Sequence, residues 1–243
     1  DNAILITFWV VGFVFLALGG FMVYCVWKYR HQRNRKAEYK PEDKKLELIL
    51  TVVSAIAVVG LLTPGLSVWG DYIKVPKDAS KVEVLSYQWG WNYRLAGEDG
   101  VLGKTSIKNV SDENPYGLDL KDPNGKDDII VQDADLHLQI DKPVEFLLRS
   151  IDVLHNFYVP EFRAKMDMVP GLVTYYWIIP TKTGEYEILC AELCGTGHYA
   201  MLGIVSVDKK SDYSNWLAQQ ITFENTLAQN KIKNKTIQLA ENT

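Results

Sequence analysis

Charge is missing from two long stretches of this chain. Ala3 to Trp27 carries no ionisable side chain except the Tyr24 phenol and the Cys25 thiol, and Leu46 to Trp69 carries only Glu47. Each is longer than the roughly 20 apolar residues that cross a bilayer, which excludes a wholly soluble protein. Cysteine is equally scarce, with three in 243 residues, too few for the disulfide scaffold of a small secreted domain. The Cys-x-x-Cys-His signature of covalent haem attachment is absent, so no fused cytochrome c domain and no haem are expected in this chain. There is no internal repeat, and no nucleic-acid partner is expected.

The charges that are present lie unevenly. The basic residues Lys28, Arg30, Arg33, Arg35 and Lys36 follow the first apolar stretch, whereas a cleaved leader has its positive charges in front. Lys28 to Lys45 holds eight Lys and Arg against three Asp and Glu, a net of +5. By the positive-inside rule this loop, residues 28–45, is cytoplasmic. The two spans then form a transmembrane hairpin over residues 1–70, in a bacterial inner membrane or its equivalent, with the lipid bilayer as a partner. Both termini and the large domain lie on the far side. Leu46 to Thr243 carries 18 basic against 26 acidic residues, a net of −8, a field that steers a cationic partner towards it. Glu47, at the inner edge of the second span, either snorkels or is a functional ionisable group.

From Lys81 onward the apolar runs give way to short β-rich segments between turn residues. The expected strands are Val82 to Leu95, Ile129 to Ile140, Val144 to Ser150, Leu172 to Ile179, Gly184 to Leu189 and Gly203 to Val207, spaced as in an antiparallel sandwich or barrel. They place an all-β domain over residues 71–210, followed by a partly helical tail, 211–243. The Gly-, Asn-, Asp- and Pro-rich stretch 97–128 reads as an extended loop that decorates the domain without building its core. Tyr87 to Tyr93 alternates strictly, so its four aromatic rings are expected on one face of a strand, with Trp89 or Trp91 reaching the surface.

The chemistry is concentrated in Cys190-Ala191-Glu192-Leu193-Cys194-Gly195-Thr196-Gly197-His198-Tyr199-Ala200-Met201. Two thiols, an imidazole and a thioether share one Gly-rich loop between two expected strands, and soft sulfur with imidazole favours copper or zinc over magnesium or calcium. His155, 35 residues upstream of Cys190, is within reach of a sheet that brings it alongside. Three readings compete with a redox copper site. A Cys190–Cys194 disulfide leaves His198 and Met201 unexplained. A Cys2His2 zinc site with His155 leaves Met201 without a role. Met201 is also the kind of residue that simply fills a core.

Cys-x-Glu-x-Cys-x3-His-x2-Met, with the upstream Asp-Val-x-His and the intervening Lys165-x-Asp167-x-x-Pro170-Gly171, resembles the binuclear copper (CuA) domain of cytochrome c oxidase subunit II. The resemblance extends to the two-span hairpin and the aromatic segment, and it implies a cupredoxin-like Greek-key β-domain. It further implies that Cys190 and Cys194 bridge two coppers, that His155 and His198 are terminal ligands, and that Met201 and the Glu192 carbonyl are weak axial ones. Asp152 becomes a candidate to orient an imidazole, and the Glu192 side chain a candidate ligand of Mg2+ at the boundary with subunit I. Trp89, in Gln88-Trp89-Gly90-Trp91, inherits the role of electron entry from cytochrome c, although Gly90 replaces the usual aromatic residue. Asp133 and, less securely, Asp135 resemble acids of the donor-docking surface. Glu47, 17 residues before Pro64, is similar to a glutamate at a proton-channel mouth. The function implied is electron input to haem in the separate catalytic subunit I, where oxygen is reduced and protons are translocated. A CuA subunit of a nitric oxide reductase, a tethered copper carrier and a zinc-stabilised binding module are the alternatives.

Overall fold

The computed structural model describes residues 2–36, 39, 41–111, 113–132 and 135–229. They fall into two compact units that divide between Tyr72 and Ile73.

The first unit is two helices, α1 (Asn2–Lys28) and α2 (Lys44–Tyr72). Both are long and apolar enough to cross a membrane. Their apolar side chains are exposed on every side, as in helices whose solvent is lipid rather than a protein core. Asp43 caps the start of α2, its Oδ1 accepting the Leu46 N–H at 3.1 Å. Pro64 sits inside α2 and removes one backbone donor. On either side of it, Thr63 Oγ1 donates to the Val59 carbonyl at 2.8 Å and Ser67 Oγ to the Thr63 carbonyl at 3.3 Å.

The second unit is a sandwich of two five-stranded sheets. Its strands are β1 (Ser80–Tyr87), β2 (Gly90–Leu95), β3 (Ile129–Gln132), β4 (Leu136–Gln139), β5 (Val144–Ser150), β6 (His155–Val159), β7 (Ala164–Met168), β8 (Thr174–Ile178), β9 (Gly184–Cys190) and β10 (Leu202–Asp208). One sheet runs β3-β2-β1-β5-β8 and the other β4-β10-β9-β6-β7. This is the cupredoxin-like Greek-key arrangement, with one correction to the expectation of an antiparallel body: β1 pairs with β5, and β4 with β10, in parallel. Helix α3 (Lys210–Leu217) follows, and the backbone is helical again at 223–229. The remainder of the tail, 230–243, and Asp133 lie outside the described residues.

The core forms where alternate side chains of the two sheets meet. On β5, Val144, Phe146 and Leu148 are buried while the residues between them are half-exposed. The Phe146 ring lies 5.5 Å from that of Phe157 on the opposite sheet and 5.1 Å from that of Tyr176 on β8. Trp91 meets Phe157 edge-on at 5.5 Å.

Four further expectations need correction. Val82 to Leu95 is a hairpin, not one strand: β1 ends at Tyr87, the chain turns at Gln88 and Trp89, and Gly90 pairs back onto Tyr87. The aromatic rings therefore separate, with Trp91 and Tyr93 buried and Trp89 42% exposed. Ile129 to Ile140 divides into β3 and β4, which belong to different sheets. Strands β6 and β7, over His155–Val159 and Ala164–Met168, lay outside every expected strand. Segment 97–128 does build core, because Tyr116 and Leu118 pack fully buried with Leu85 and Phe223. A network of buried ions pins that segment. Arg94 donates to Glu83, to Asp128 at 2.6 Å and to the Gly103 carbonyl at 3.1 Å, and Glu83 also accepts from Arg149 at 2.8 Å.

Candidate metal centre

Four pieces of chain meet at one end of the sandwich. Strand β6 begins with His155 and continues inward through Phe157 and Val159, all fully buried. Strand β9 ends at Cys190, paired opposite Phe157. The loop 190–201 leaves β9 and closes on itself, the Cys190 N–H donating to the Met201 carbonyl at 3.3 Å. Its root is tied to β6 by the Ala191 N–H, which donates to the Asn156 carbonyl at 3.1 Å. The turn between β1 and β2 closes over this loop.

The donor atoms sort into two sets. Cys190 Sγ stands 3.8 Å from His155 Nδ1 and 3.2 Å from the Glu192 carbonyl. Cys194 Sγ stands 3.5 Å from His198 Nδ1 and 3.9 Å from Met201 Sδ. The two sulfurs, both free thiols and not a disulfide, are 3.7 Å apart. Each half thus offers a thiol, an imidazole Nδ1 and one weak donor, with the thiols shared at the middle. His155, Cys190 and Cys194 bring their ligand atoms within 4.8 Å of one another, and His198 stands outside that group. A single tetrahedral ion needs all four ligands around one point, so the paired arrangement suits two ions better than one.

Second contacts fix the orientation of this set. His155 Nε2 lies 2.9 Å from Asp152 Oδ1. A carboxylate only accepts, so the shared proton sits on Nε2 and the Nδ1 lone pair faces the sulfur. Asp152 also accepts from the Val153 N–H at 2.7 Å and, through Oδ2, from the Gln88 N–H at 2.7 Å. Burial works against the Asp152 carboxylate, yet these hydrogen bonds outweigh it and hold the group below the usual aspartate range. Burial first, and then the adjacent Cys190 thiol, push the Cys194 thiol up to about 11. Without a cation the Cys194 thiolate is unfavourable, so metal uptake there must release a proton.

Trp89 lies across the loop. Its indole N–H donates to the Cys194 carbonyl at 3.3 Å, and a Cβ placed on Gly197 would come within 2.4 Å of the indole. The close approach of ring to backbone therefore requires glycine there. Trp91, below it, is buried and meets His155 edge-on, with ring centroids 6.5 Å apart. Glu192 is half-buried, and its carboxylate makes no hydrogen bond or ion pair among the described residues. Asp135 is exposed beside β4. Glu47 lies in the first unit, exposed in the first turn of α2. The contribution of Gln88 was not expected, since an amide beside a tryptophan carries no signal of its own. The Gly195-Thr196-Gly197 sequence was the available hint that something large lies against the loop.

The model of the family described as cytochrome c oxidase subunit II, periplasmic domain, matches residues 81–208. The chain belongs to the cytochrome c oxidase subunit II family. It is 53% identical over 232 residues to the alternative cytochrome c oxidase subunit 2 of Bradyrhizobium diazoefficiens, covering 96% of this chain and 84% of that protein. The probable cytochrome c oxidase subunit 2 of Rickettsia bellii is 30% identical over 207 residues, 85% of this chain and 74% of its own length. Among solved structures, the periplasmic domain of subunit II of the Bradyrhizobium japonicum cytochrome oxidase is 23% identical with a TM-score of 0.44, covering 60% of this chain and 95% of that one. As a member of this family the chain is a subunit of a haem-copper oxidase, an oxidoreductase complex. CuA-type copper is the metal expected at the cluster of His155, Cys190 and Cys194.

Proposed function

We propose that this chain is the electron-input subunit of a respiratory terminal oxidase. It accepts single electrons from cytochrome c at a binuclear CuA centre and passes them to haem in subunit I, where oxygen reduction is coupled to proton translocation. The observation that carries this reading is the pairing of donors into two equivalent halves about adjacent thiols. Bound there, copper supplies a one-electron store shared between two metals.

The residues of this chain do the rest. Cys190, Cys194, His155 and His198 would hold the copper, with Met201 and the Glu192 carbonyl as weaker donors. Anchoring on β6 and β9 keeps these donors in place in either oxidation state, so little reorganisation accompanies a change of charge. Asp152 orients His155 through its hydrogen bond to Nε2. Trp89 is an aromatic side chain at this end of the sandwich that is both open to solvent and hydrogen-bonded to a ligand residue, which supports its role as the entry point. The free carboxylate of Glu192 suits Mg2+ shared with subunit I. Asp133 and Asp135 belong to the docking surface for the donor, and Glu47 to proton entry. The basic loop 28–45 is cytoplasmic and the copper domain extracytoplasmic.

The deciding experiment is the electron paramagnetic resonance spectrum of the full-length chain, purified in detergent and loaded with copper, together with its copper content. A hyperfine pattern from one electron shared over two coppers is expected. A single-copper or silent spectrum from folded, fully metallated protein overturns the reading in favour of a carrier or a zinc module. Trp89→Phe is expected to slow turnover with cytochrome c in the assembled oxidase, and unchanged turnover removes Trp89 from its role. Glu47→Gln is expected to impair proton uptake. Loss of a bound Mn2+ signal in Glu192→Gln tests the Mg2+ site.

A further inference from the structure

The turn between β1 and β2 touches both ligand halves through one residue. The Gln88 main-chain N–H donates to Asp152 Oδ2 at 2.7 Å, and the other oxygen of that carboxylate holds His155 Nε2 at 2.9 Å. The Gln88 side chain points the opposite way along the site, its Nε2 donating to the Cys194 carbonyl at 2.7 Å. That carbonyl also receives the Trp89 indole N–H at 3.3 Å, so both of its lone pairs are engaged. The next residue, Gly195, has φ +117°, and a Cβ there would come within 2.9 Å of Gln88 Nε2 and 3.2 Å of the Trp89 ring. The backbone conformation strains any side chain, and a Cβ would displace the Gln88 amide.

We propose that Gln88 is a positioning residue of the metal centre, holding the His155–Cys190 half and the Cys194–His198 half in register from a single turn. The inference rests on the binuclear reading above. Its physical basis is that the turn is anchored at its β1 end. Ser86 pairs with Ser150 across the parallel β1–β5 ladder, and the Ile151 N–H donates to the Ser86 carbonyl at 3.1 Å. A donor fixed to the opposite sheet therefore sets the orientation of the Cys194 peptide, while the main chain of the same residue sets the carboxylate behind His155. An electron is shared evenly between two metals only if their ligand fields match. Loss of one tether displaces one half relative to the other.

The test compares the full-length, copper-loaded chain with Gln88→Met, which keeps the length of the side chain and the main-chain N–H but removes the amide donor. Gln88→Glu presents an oxygen to the same carbonyl and is expected to be worse. In Gln88→Met the hyperfine pattern is expected to shift towards an electron held unequally, and copper release to a chelator to accelerate about tenfold, as is usual when a contact behind a ligand is lost. The melting temperature of the metal-free chain, expected to be unchanged in Gln88→Met, separates positioning from folding. A wild-type hyperfine pattern and release rate in both variants overturns the proposal, as does Gln88→Glu retaining copper better than Gln88→Met. If the unsubstituted chain itself lacks the shared-electron pattern, the binuclear reading fails first, and the role of Gln88 fails with it.

Discussion

Two polar, glycine-bearing loops leave the same sandwich and are stabilised in opposite ways. Segment 97–128 is held by apolar and charged partners elsewhere in the domain. Tyr116 and Leu118 are buried, Arg94 joins Asp128 to Glu83, and the Gly103 N–H donates to Asp128 at 3.0 Å. Loop 190–201 gathers two thiols, two imidazole nitrogens with His155, and a thioether that find only long contacts with one another, 3.5 to 3.9 Å. The first loop finds its partners within the protein, whereas the donors of the second are arranged to receive a metal. Polar residues folded against one another signal structure, whereas soft donors held apart by a rigid frame signal a ligand.

The largest effect expected from this contrast is on the second loop. Cys194→Ser replaces a thiol shared by both halves with a hard donor, and should abolish the shared-electron spectrum. The metal-free domain should melt close to the wild type, because the side chain makes only long contacts. A retained binuclear spectrum would end the comparison.

The opposite response is expected in the first loop. Arg94→Met leaves Asp128, which is fully buried, without its cationic partner. Removing one side of a buried ion pair costs about 3–5 kcal/mol. Thermal denaturation should therefore show a large loss of stability, while the fraction that remains folded keeps an unaltered copper spectrum. A change in that spectrum would mean that the two loops are coupled.

A smaller effect separates the ligands from the groups behind them. Asp152→Asn keeps the shape of the carboxylate but changes what His155 Nε2 can share, and copper affinity should fall about 10–100-fold with no change in metal stoichiometry. Competition with a chelator of known affinity measures it. Unchanged affinity would show that β6 alone fixes the imidazole.

The same contrast explains what the sequence made legible. The spans were readable because charge is absent over lengths that only a membrane tolerates. The candidate ligands on the loop were readable because Cys190, Cys194, His198 and Met201 are close in sequence and share one chemistry. The frame was less readable. The alternation of Tyr87, Trp89, Trp91 and Tyr93 runs through a tight turn that no Asn-Gly or Pro-Gly marks, so a hairpin looked like one strand. Strand β6 was hidden because Asn156 is buried beside the site, which breaks the in-out pattern. Segment 97–128 looked like decoration because its composition is that of a loop, and its attachment depends on Arg94, Glu83 and Asp128, which only the fold brings together. Gln88 was invisible for the same reason: its partners, Asp152 and Cys194, are 64 and 106 residues away in sequence.

The smallest effect tests whether segment 97–128 is fixed throughout or only at Arg94. Asp122 is half-exposed at the edge of this segment, where its carboxylate accepts from the Lys104 N–H at 2.8 Å and the Asn124 N–H at 3.3 Å. The Lys104 amide above all, then the Asn124 amide and the Lys104 charge, hold the Asp122 carboxyl below the usual aspartate range. A depressed carboxyl stabilises the form in which it is ionised. Its contribution is therefore full at neutral pH and is lost only as the pH falls through that lowered value. Asp122→Asn should leave global melting nearly unchanged and raise amide exchange locally at Lys104 and Asn124 at neutral pH. The wild type should come to match the variant only in strong acid. Equal exchange at neutral pH would mean that the buried ions alone hold the segment, and that its outer edge contributes nothing to the stability of the frame around the metal centre.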